Sequence, residues 1–193
     1  MTQAEKAKQF AALHIKGTPL ILFNAWDAGT AKVIQSAGAK AIATSSWSVA
    51  EAQGFRDGEH IPLSFVEQII ARITATVDLP VTVDFEGGYS EDDVVLAKNV
   101  SRLIDLGVIG INFEDRVVQG DGLYAPDRQA QRIAAVRDTA KSKMWTSSSM
   151  RARICSLVTA IRRNSPRKPS SEQNSTKTQA HLVSSYRVSR TMA

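Results

Sequence analysis

The sequence predicts an α/β fold in which four βα units form the N-terminal half of a (β/α)8, TIM-type barrel, followed by a basic tail. Short apolar strands alternate four times with amphipathic helices along residues 1–141. Polar residues gather at the carboxyl end of each strand, which is where α/β folds bind ligands. No GxGxxG or GxxxxGK[ST] motif follows the first strand, so the pattern favours a barrel over a nucleotide-binding Rossmann sheet.

Each element follows from a local pattern of apolar residues bounded by proline or glycine. The chain opens with MTQAEKAKQFAALH, which predicts an amphipathic helix and lacks the apolar region of a signal peptide. The predicted strands are Leu20–Asn24, Ala41–Ser45, Val81–Phe85 and Gly110–Glu114. The predicted helices that follow them are Ala28–Ala37, Ser64–Thr76, Glu91–Leu106 and Asp127–Ala140. A long polar loop is expected between the second strand and Pro62, and Ser90 with Asp93 resembles a capping box.

The composition changes sharply after residue 138. Residues 1–138 contain 13 Lys and Arg against 18 Asp and Glu, and all 11 glycines precede residue 123. Residues 139–193 contain 11 Lys and Arg and a single acidic residue, Glu172. We therefore expect two regions, a partial barrel at 1–141 and a largely disordered basic tail at 142–193. Within the tail, Leu157–Ile161 predicts at most one or two helical turns.

Several classes of protein are disfavoured by composition. Cys155 is the only cysteine, so no intramolecular disulfide can form, and a reducing, cytoplasmic setting is predicted. No run of eighteen apolar residues predicts a membrane span, and the three histidines lack metal-ligand spacing. The basic tail could contact nucleic-acid phosphates, but it has only two aromatic residues and no recognised motif. A nucleic-acid-binding module and a non-catalytic fragment stay as the less favoured alternatives.

Acidic residues follow the third and fourth predicted strands. In VTVDFEGGYS, strand alternation places Asp84 and Glu86 on one face, and two glycines allow a sharp turn after them. Glu114 ends the fourth strand, and Asp57 lies in the loop after the second. Four carboxylates converging on one rim would repel one another unless a cation or a shared proton relieved them. Such oxygen ligands suit Mg²⁺, although each residue alone is equally explained as a helix cap or a solvated charge.

Two further segments lie at the ends of the first two strands. ATSSWS offers hydroxyl and backbone N–H groups that could hold a small anion such as a carboxylate, although an ordinary serine-rich loop explains it as well. In NAWDAGTA, Asp27 is predicted to cap the next helix and Trp26 to pack rather than to catalyse.

Four motifs together resemble the isocitrate lyase/phosphoenolpyruvate mutase superfamily. They are NAWDAGTA, GAKAIATSSWSVAEAQGFRDGE, LPVTVDFEGGYS and GVIGINFED, and their order and spacing over about residues 5–141 match as well. The resemblance implies a Mg²⁺-dependent barrel enzyme that makes or breaks C–C or P–C bonds of small 2-oxo or enol acids. The chemistry implied is an enolate-like intermediate stabilised by the metal as a Lewis acid. It also implies a homo-oligomer for the complete fold.

The resemblance assigns roles to individual residues. Asp84 matches the principal metal-ligand position, and Glu86 and Glu114 match acidic positions that hold the metal largely through water. Asp57 matches an acidic residue on the loop after the second strand, to which we assign a catalytic role. The segment that holds the substrate carboxylate corresponds to Ser45, Ser46 and Trp47. Trp47 departs from the family pattern, and its bulk could narrow the pocket.

A second departure concerns the loop after the fourth strand. The lyases carry a Lys-Lys-Cys-Gly-His motif there, whose cysteine serves in acid–base chemistry, whereas this chain has DRVVQGDGLYAP. The absence of Cys and His argues against isocitrate or methylisocitrate lyase activity. It favours the phosphonomutase-like branch, whose members resemble carboxyvinyl-carboxyphosphonate phosphorylmutase. Carboxyvinyl-carboxyphosphonate, oxaloacetate-like acids and phosphonopyruvate all fit the carboxylate cluster as substrates.

The family pattern is interrupted in the tail. Family members continue with a strand ending like I-N-A-R-T-D, whose arginine contacts substrate, and no such strand occurs in this frame. A constant two-base shift of the reading frame permits that segment and a later family-like one in the correct order. We therefore expect residues from about Ser142 onward to be a frameshifted translation. The catalytic activity would then be impaired, and the first and fourth strands would be open sheet edges.

Overall fold

A computed structural model describes residues 1–118, 120–145 and 158–161. Helices and strands alternate along the chain. The helices are α1 (Gln3–Ala12), α2 (Ala28–Ser36), α3 (Ser46–Ala52), α4 (Leu63–Thr76), α5 (Asp93–Asp105) and α6 (Pro126–Trp145). The strands are β1 (Phe23–Ala25), β2 (Ile42–Thr44), β3 (Val81–Asp84), β4 (Gly110–Glu114) and β5 (Val158–Ile161).

The five strands form one parallel sheet in the order β1-β2-β3-β4-β5. Every pair of neighbours is parallel and joined through at least one helix. A strictly sequential order is the arrangement of a (β/α)8 barrel, because a doubly wound sheet reverses its strand order part of the way along. The described residues therefore form part of a barrel wall, as the sequence predicts.

The core lies between the sheet and the helices that cover it. Strand β2 is buried along its whole length, as expected for a parallel strand covered on both faces. Helix α4 contributes Ile70 and Ile73, both 0% exposed, and α5 contributes Leu96 and Leu103, also 0% exposed. These spacings of three and seven residues place each pair on one helix face.

Helix α1 covers the amino end of the sheet. Its Ala7 and Phe10 pack in one cluster with Ala41 and Ile109, the residues that immediately precede β2 and β4. Thr2 caps this helix in a capping box with Glu5. Because the amino end is closed by α1, the carboxyl end is the side of the sheet left for a ligand.

Most predicted elements are confirmed, with four differences. The loop expected before Pro62 contains helix α3, which is only seven residues long. Helix α5 begins after Asp92, whose side chain accepts hydrogen bonds from the N–H groups of Val94 and Val95, so the capping box predicted at Ser90 is wrong. Asp27 caps α2 as predicted, whereas Trp26 is 41% exposed rather than packed.

The fourth difference is in the basic tail. Helix α6 continues past residue 141 to Trp145. The helical turns predicted at Leu157–Ile161 are wrong for Val158–Ile161, which instead pairs in parallel with β4 from Ile111 to Glu114. The fourth strand is therefore not an open edge, whereas β1, with Phe23 57% exposed, is at the edge of the sheet. The disorder predicted for residues 146–157 and 162–193 lies outside the described residues.

No helix in the described ranges has the length and apolar composition needed to cross a membrane.

Candidate active site

Asp84 lies at the carboxyl end of β3 and is held by residues that follow β2. The backbone N–H and the hydroxyl of Ser46 both donate to Asp84 Oδ2, at 3.2 and 3.1 Å. The N–H of Asp84 donates to Thr44 Oγ1 at 3.0 Å. The second carboxylate oxygen, Oδ1, is buried and has no hydrogen-bond partner among the described residues. Burial raises the pKa of Asp84, and the hydrogen bonds from Ser46 oppose that increase.

The three residues predicted to hold a substrate carboxylate have different surroundings. Ser45 is the N-cap of α3, and its Oγ accepts the N–H of Ser48 at 3.4 Å. Ser46 is 8% exposed and is engaged with Asp84. Trp47, the next residue of α3, is 59% exposed. The structure therefore brings Ser46 into contact with Asp84, and the contact of all three residues with a substrate remains a prediction.

Glu86 does not follow the alternation that the sequence suggests. Strand β3 ends at Asp84, and Glu86 takes a left-handed backbone conformation with φ of 48°. Its carbonyl accepts the N–H of Glu114 at 2.7 Å, which extends the contact between the third and fourth strands. Glu86 is 6% exposed. Burial, followed by the negative charges of Asp57, Glu59 and Asp84, raises the pKa of Glu86 to about 8.

Glu59 belongs to this cluster and is not predicted by the sequence analysis. Its Oε1 accepts the N–H of Tyr89 at 2.8 Å, while its Oε2 is buried and without a hydrogen-bond partner in the described part of the chain. Burial raises the pKa of Glu59, and the N–H groups of Tyr89 and Gly87 oppose that increase. The signal was its position two residues after Asp57 in GFRDGE, which makes the loop after β2 doubly acidic.

Asp57 is close enough to influence the other carboxylates. Its negative charge contributes to the raised pKa of both Asp84 and Glu86. Its Oδ1 is a further buried oxygen that lacks a partner among the described residues. Glu114, 5% exposed, ends β4 at the same edge of the sheet.

A buried arginine lies behind this cluster. Arg132 of α6 is 0% exposed and donates to the carbonyls of Ser90 at 3.0 Å, Glu91 at 3.3 Å and Gly87. Its guanidinium lies 4.4 Å from the ring centre of Tyr124 and 5.3 Å from that of Phe113. Sequence analysis gives it no role, because an arginine in an amphipathic helix is normally taken as exposed.

Close packing requires the two glycines that follow Glu86. A Cβ on Gly87 would lie 2.7 Å from Val118 Cγ2 and 3.3 Å from the carbonyl oxygen of Arg116, so the loop after β4 rests directly on this residue. Gly88 has φ of +85°, and a Cβ there would overlap the side chain of Leu96. The loop after β4 thus packs against the acidic site.

The donor set fits a divalent cation held partly through water. Asp57, Glu59 and Asp84 each leave a buried carboxylate oxygen without a hydrogen-bond partner in residues 1–118, 120–145 and 158–161. Within those ranges no three or more His, Cys, Asp or Glu side chains are arranged to bind a metal directly, so Asp84, Glu86 and Glu114 are not brought together as three direct ligands. Mg²⁺ fits such an arrangement, because it keeps several waters and binds few carboxylates directly.

Comparisons with known proteins identify the family and agree with the parallel α/β fold. The family model described as phosphoenolpyruvate phosphomutase matches residues 10–173. A crystal structure from Burkholderia cenocepacia J2315, assigned as a phosphonomutase, is 42% identical with a TM-score of 0.74, covering 82% of this chain and 61% of that one. The 2-methylisocitrate lyase of Escherichia coli is 32% identical over 118 residues, 61% of this chain and 40% of the enzyme. A phosphonopyruvate hydrolase solved with oxalate and Mg²⁺ shares the fold, with 22% identity, a TM-score of 0.69 and coverage of 84% of this chain and 53% of that one.

The matches cover a larger share of this chain than of its relatives. The chain spans less than half the length of the curated relatives it matches, 47% and 40% in two cases. The family model nevertheless covers most of the chain, including β1 to β5 and the acidic residues after β2, β3 and β4. The parallel sheet in sequential order is the arrangement of such a barrel. The chain therefore belongs to the phosphoenolpyruvate phosphomutase family.

Proposed function

We propose that the protein binds Mg²⁺ at the carboxyl edge of its sheet and acts on a small 2-oxo or enol carboxylic acid, making or breaking a C–C or P–C bond. The observation that carries this proposal is the set of buried carboxylate oxygens without partners on Asp57, Glu59 and Asp84. Buried anions of this kind are unfavourable unless a cation or a proton compensates them.

In this proposal one acidic residue binds the metal directly and two bind it through water. Asp84 would bind the metal, since Ser46 fixes one of its oxygens and leaves the other unpartnered. Glu86 and Glu114 would hold the metal's water ligands. When bound, Mg²⁺ supplies Lewis-acid stabilisation of negative charge on an enolate-like oxygen.

The remaining residues would handle the substrate. Asp57, in the loop after β2, would hold or accept a proton. Ser45, Ser46 and Trp47 would contact the substrate carboxylate, with the exposed Trp47 ring limiting the size of the acid that enters. The hydroxyl of Ser46 is already engaged by Asp84, so its backbone and its neighbours are the groups available to an anion.

The loop after β4 favours a phosphonomutase-like reaction over methylisocitrate cleavage. The residues from Asp115 to Ala125 include neither Cys nor His, so the acid–base group that the lyases use at this position is missing. The sequence identity to the 2-methylisocitrate lyase of Escherichia coli, 32%, is lower than the 42% identity to the Burkholderia cenocepacia protein assigned as a phosphonomutase. Phosphonopyruvate and oxaloacetate-like acids are accordingly the first substrates to test.

Metal binding and turnover are separable in this proposal. The residues assigned to Mg²⁺ all lie between β2 and β4, within the described ranges. The segment like I-N-A-R-T-D, whose arginine binds substrate in the family, does not occur in this frame, and β5 occupies the position next to β4 instead. We propose that the 193-residue chain binds Mg²⁺ with impaired turnover, in the cytoplasm, and that the frame-corrected protein forms an active homo-oligomer.

A Mg²⁺ titration of the 193-residue chain tests the metal site. Calorimetry should detect one site in the wild type and at least a tenfold weaker one in Asp84→Ala. Asp78→Ala is the matched control, because Asp78 is an exposed aspartate before the amino end of the same strand. Equal Mg²⁺ affinities of Asp84→Ala and Asp78→Ala would refute the metal site.

The reaction and the reading frame need separate measurements. ³¹P NMR with phosphonopyruvate and a pyruvate assay with oxaloacetate should show turnover by the frame-corrected protein that is lost in Asp84→Ala. Resequencing the source DNA across codons 138–146, with intact-mass analysis of the product, tests the frameshift. Salt-dependent binding of DNA or RNA, without Mg²⁺ binding, would favour the alternative of a basic nucleic-acid-binding module.

A further inference from the structure

We propose that Arg132 is a positioning residue for the metal site, and that its buried guanidinium fixes the turn after β3 that carries Glu86 and the partner of Glu59. The inference rests on the proposed function for its effect on Mg²⁺. The role of Arg132 in fixing the turn does not depend on whether the protein binds Mg²⁺. We call residues 86–91 the β3 turn.

Arg132 donates its hydrogen bonds to backbone carbonyls rather than to carboxylates. Its two terminal nitrogens donate to three carbonyls of the β3 turn, those of Gly87, Ser90 and Glu91. A guanidinium has several donors in a fixed planar fork, so one side chain can hold carbonyls from both ends of a short turn. The faces of Tyr124 and Phe113 fix the plane of that fork.

The β3 turn needs such support because its backbone is strained. Glu86 and Tyr89 have φ of 48° and 60°, in the left-handed region that non-glycine residues avoid. Such residues are uncommon in this region and persist only where surrounding contacts enforce the conformation. The carbonyls bound by Arg132 lie immediately after Glu86 and immediately after Tyr89. Arg132 therefore holds the turn beside both strained positions.

The turn controls the positions of two carboxylates. Glu86 is its first residue, and Glu59 is oriented by the N–H of Tyr89, which donates to Glu59 Oε1 at 2.8 Å. If the turn relaxed toward ordinary backbone angles, both carboxyl groups would move relative to Asp84, which is fixed separately by Ser46. Loss of Arg132 should therefore loosen the metal site without touching any of its ligands.

The variants must separate positioning from simple destabilisation. Arg132→Met keeps length and apolar packing but removes every donor. Val136→Ala is the matched control, because Val136 is 1% exposed one turn later on α6 and packs in the main core, so its loss costs stability without removing a hydrogen-bond donor to the β3 turn. Arg137→Met is a second control, because it removes an exposed arginine of the same helix.

The first measurement is amide hydrogen exchange in the metal-free full chain. In Arg132→Met the N–H of Tyr89 should exchange at least about tenfold faster than the change in global stability accounts for, whereas Val136→Ala should change exchange only through global stability. The second measurement is Mg²⁺ affinity, which should fall by about 10- to 100-fold in Arg132→Met and stay near the wild-type value in both controls.

The outcomes distinguish this inference from the proposed function. If exchange at Tyr89 in Arg132→Met follows global stability as it does in Val136→Ala, the positioning role is wrong. If the wild type binds no Mg²⁺, the proposed function fails, and the exchange result still decides the role of Arg132 in the turn. If Arg132→Met does not fold, Arg132→Lys, which retains the charge but not the fork, is judged against Val136→Ala by the same exchange criterion.

Discussion

Replacing Glu86 with glutamine is expected to stabilise the metal-free protein while weakening its affinity for Mg²⁺. Glu86 is 6% exposed, and burial together with the charges of Asp57, Glu59 and Asp84 raises its pKa from 4.5 to about 8. The ionised side chain is therefore unfavourable in the folded state. Glutamine has nearly the same shape and removes the charge.

The size of the effect follows from the shift in pKa. One pKa unit corresponds to about 1.4 kcal/mol, so a shift of this size amounts to roughly 5 kcal/mol above pH 8 and about 3 kcal/mol at pH 7. The neighbouring carboxylates rearrange when Glu86 is replaced, which reduces the gain in stability. We expect Glu86→Gln to raise the free energy of unfolding at pH 7 by about 1–3 kcal/mol.

The sign of the pH dependence provides a stricter test. Between about pH 4.5 and pH 8 the folded chain retains a proton on Glu86 that the unfolded chain has released. The contribution of Glu86 to the stability of the metal-free wild type is therefore fully present below this interval and is lost as the pH rises through it. Glu86→Gln should remove much of that slope.

Urea denaturation in EDTA at pH 5, 6, 7 and 8 measures how the free energy of unfolding changes with pH. Glu51→Gln, which replaces an exposed glutamate of α3, is the control. Saturating Mg²⁺ should reverse the ranking, stabilising the wild type more than Glu86→Gln. A wild-type stability that is constant or rises from pH 5 to pH 8 in EDTA would refute the reasoning. So would a Glu86→Gln slope equal to that of the wild type.

Three further substitutions test other contacts. Ser46→Ala removes the hydroxyl that donates to Asp84 Oδ2 at 3.1 Å, and thermal denaturation should show a loss of about 1–2 kcal/mol; an unchanged Tm would exclude a stabilising role for that bond. Gly88→Ala should cost more than about 2 kcal/mol, whereas Gly38→Ala, with a similar φ of +89° and nothing within 4 Å of the added Cβ, should cost only about 1 kcal/mol. Equal losses at the two glycines in urea denaturation would mean that crowding contributes nothing. Asp92→Ala removes the cap of α5, whose carboxylate accepts two N–H groups at 2.9 Å, and should cost about 1 kcal/mol with no change in the urea m-value; a stability equal to wild type would show that the cap is dispensable.

The order of strands and helices along the chain could be predicted because apolar segments alternate regularly with the glycine and proline residues that end them. The predicted strand Gly110–Glu114 agrees with β4 at both ends, and the other three predicted strands overlap β1, β2 and β3. Helix α3 was missed because seven residues are too few to display helical periodicity. Strand β5 was missed because its pairing with β4, not its own composition, determines its conformation.

The positions of site residues could be predicted only for those that end a strand at the carboxyl edge of the sheet. Asp84 and Glu114 end β3 and β4, so their positions follow from strand length. The position of Glu86 depends on a left-handed φ, which glutamate rarely adopts and which therefore has no signal in the sequence. The burial of Arg132 depends on carbonyls more than forty residues earlier in the chain, a distance at which local patterns carry no information.

The buried carboxylates connect the stability of this chain to its function. About 3 kcal/mol at pH 7 for one group would be a large part of the 5–15 kcal/mol that stabilises a typical domain. A ligand at one hundred times its dissociation constant stabilises a fold by about 2.7 kcal/mol, which nearly offsets that cost. If Mg²⁺ binds as proposed, its binding should therefore be coupled to folding, and the residues assigned to it lie in the segments from β2 to β4. The arginine that the resemblance implies for substrate binding belongs to the following strand, so we expect turnover to depend on groups outside these segments. For a chain that spans less than half of its curated relatives, the metal dependence of stability is thus a more direct measure of the intact site than catalytic activity.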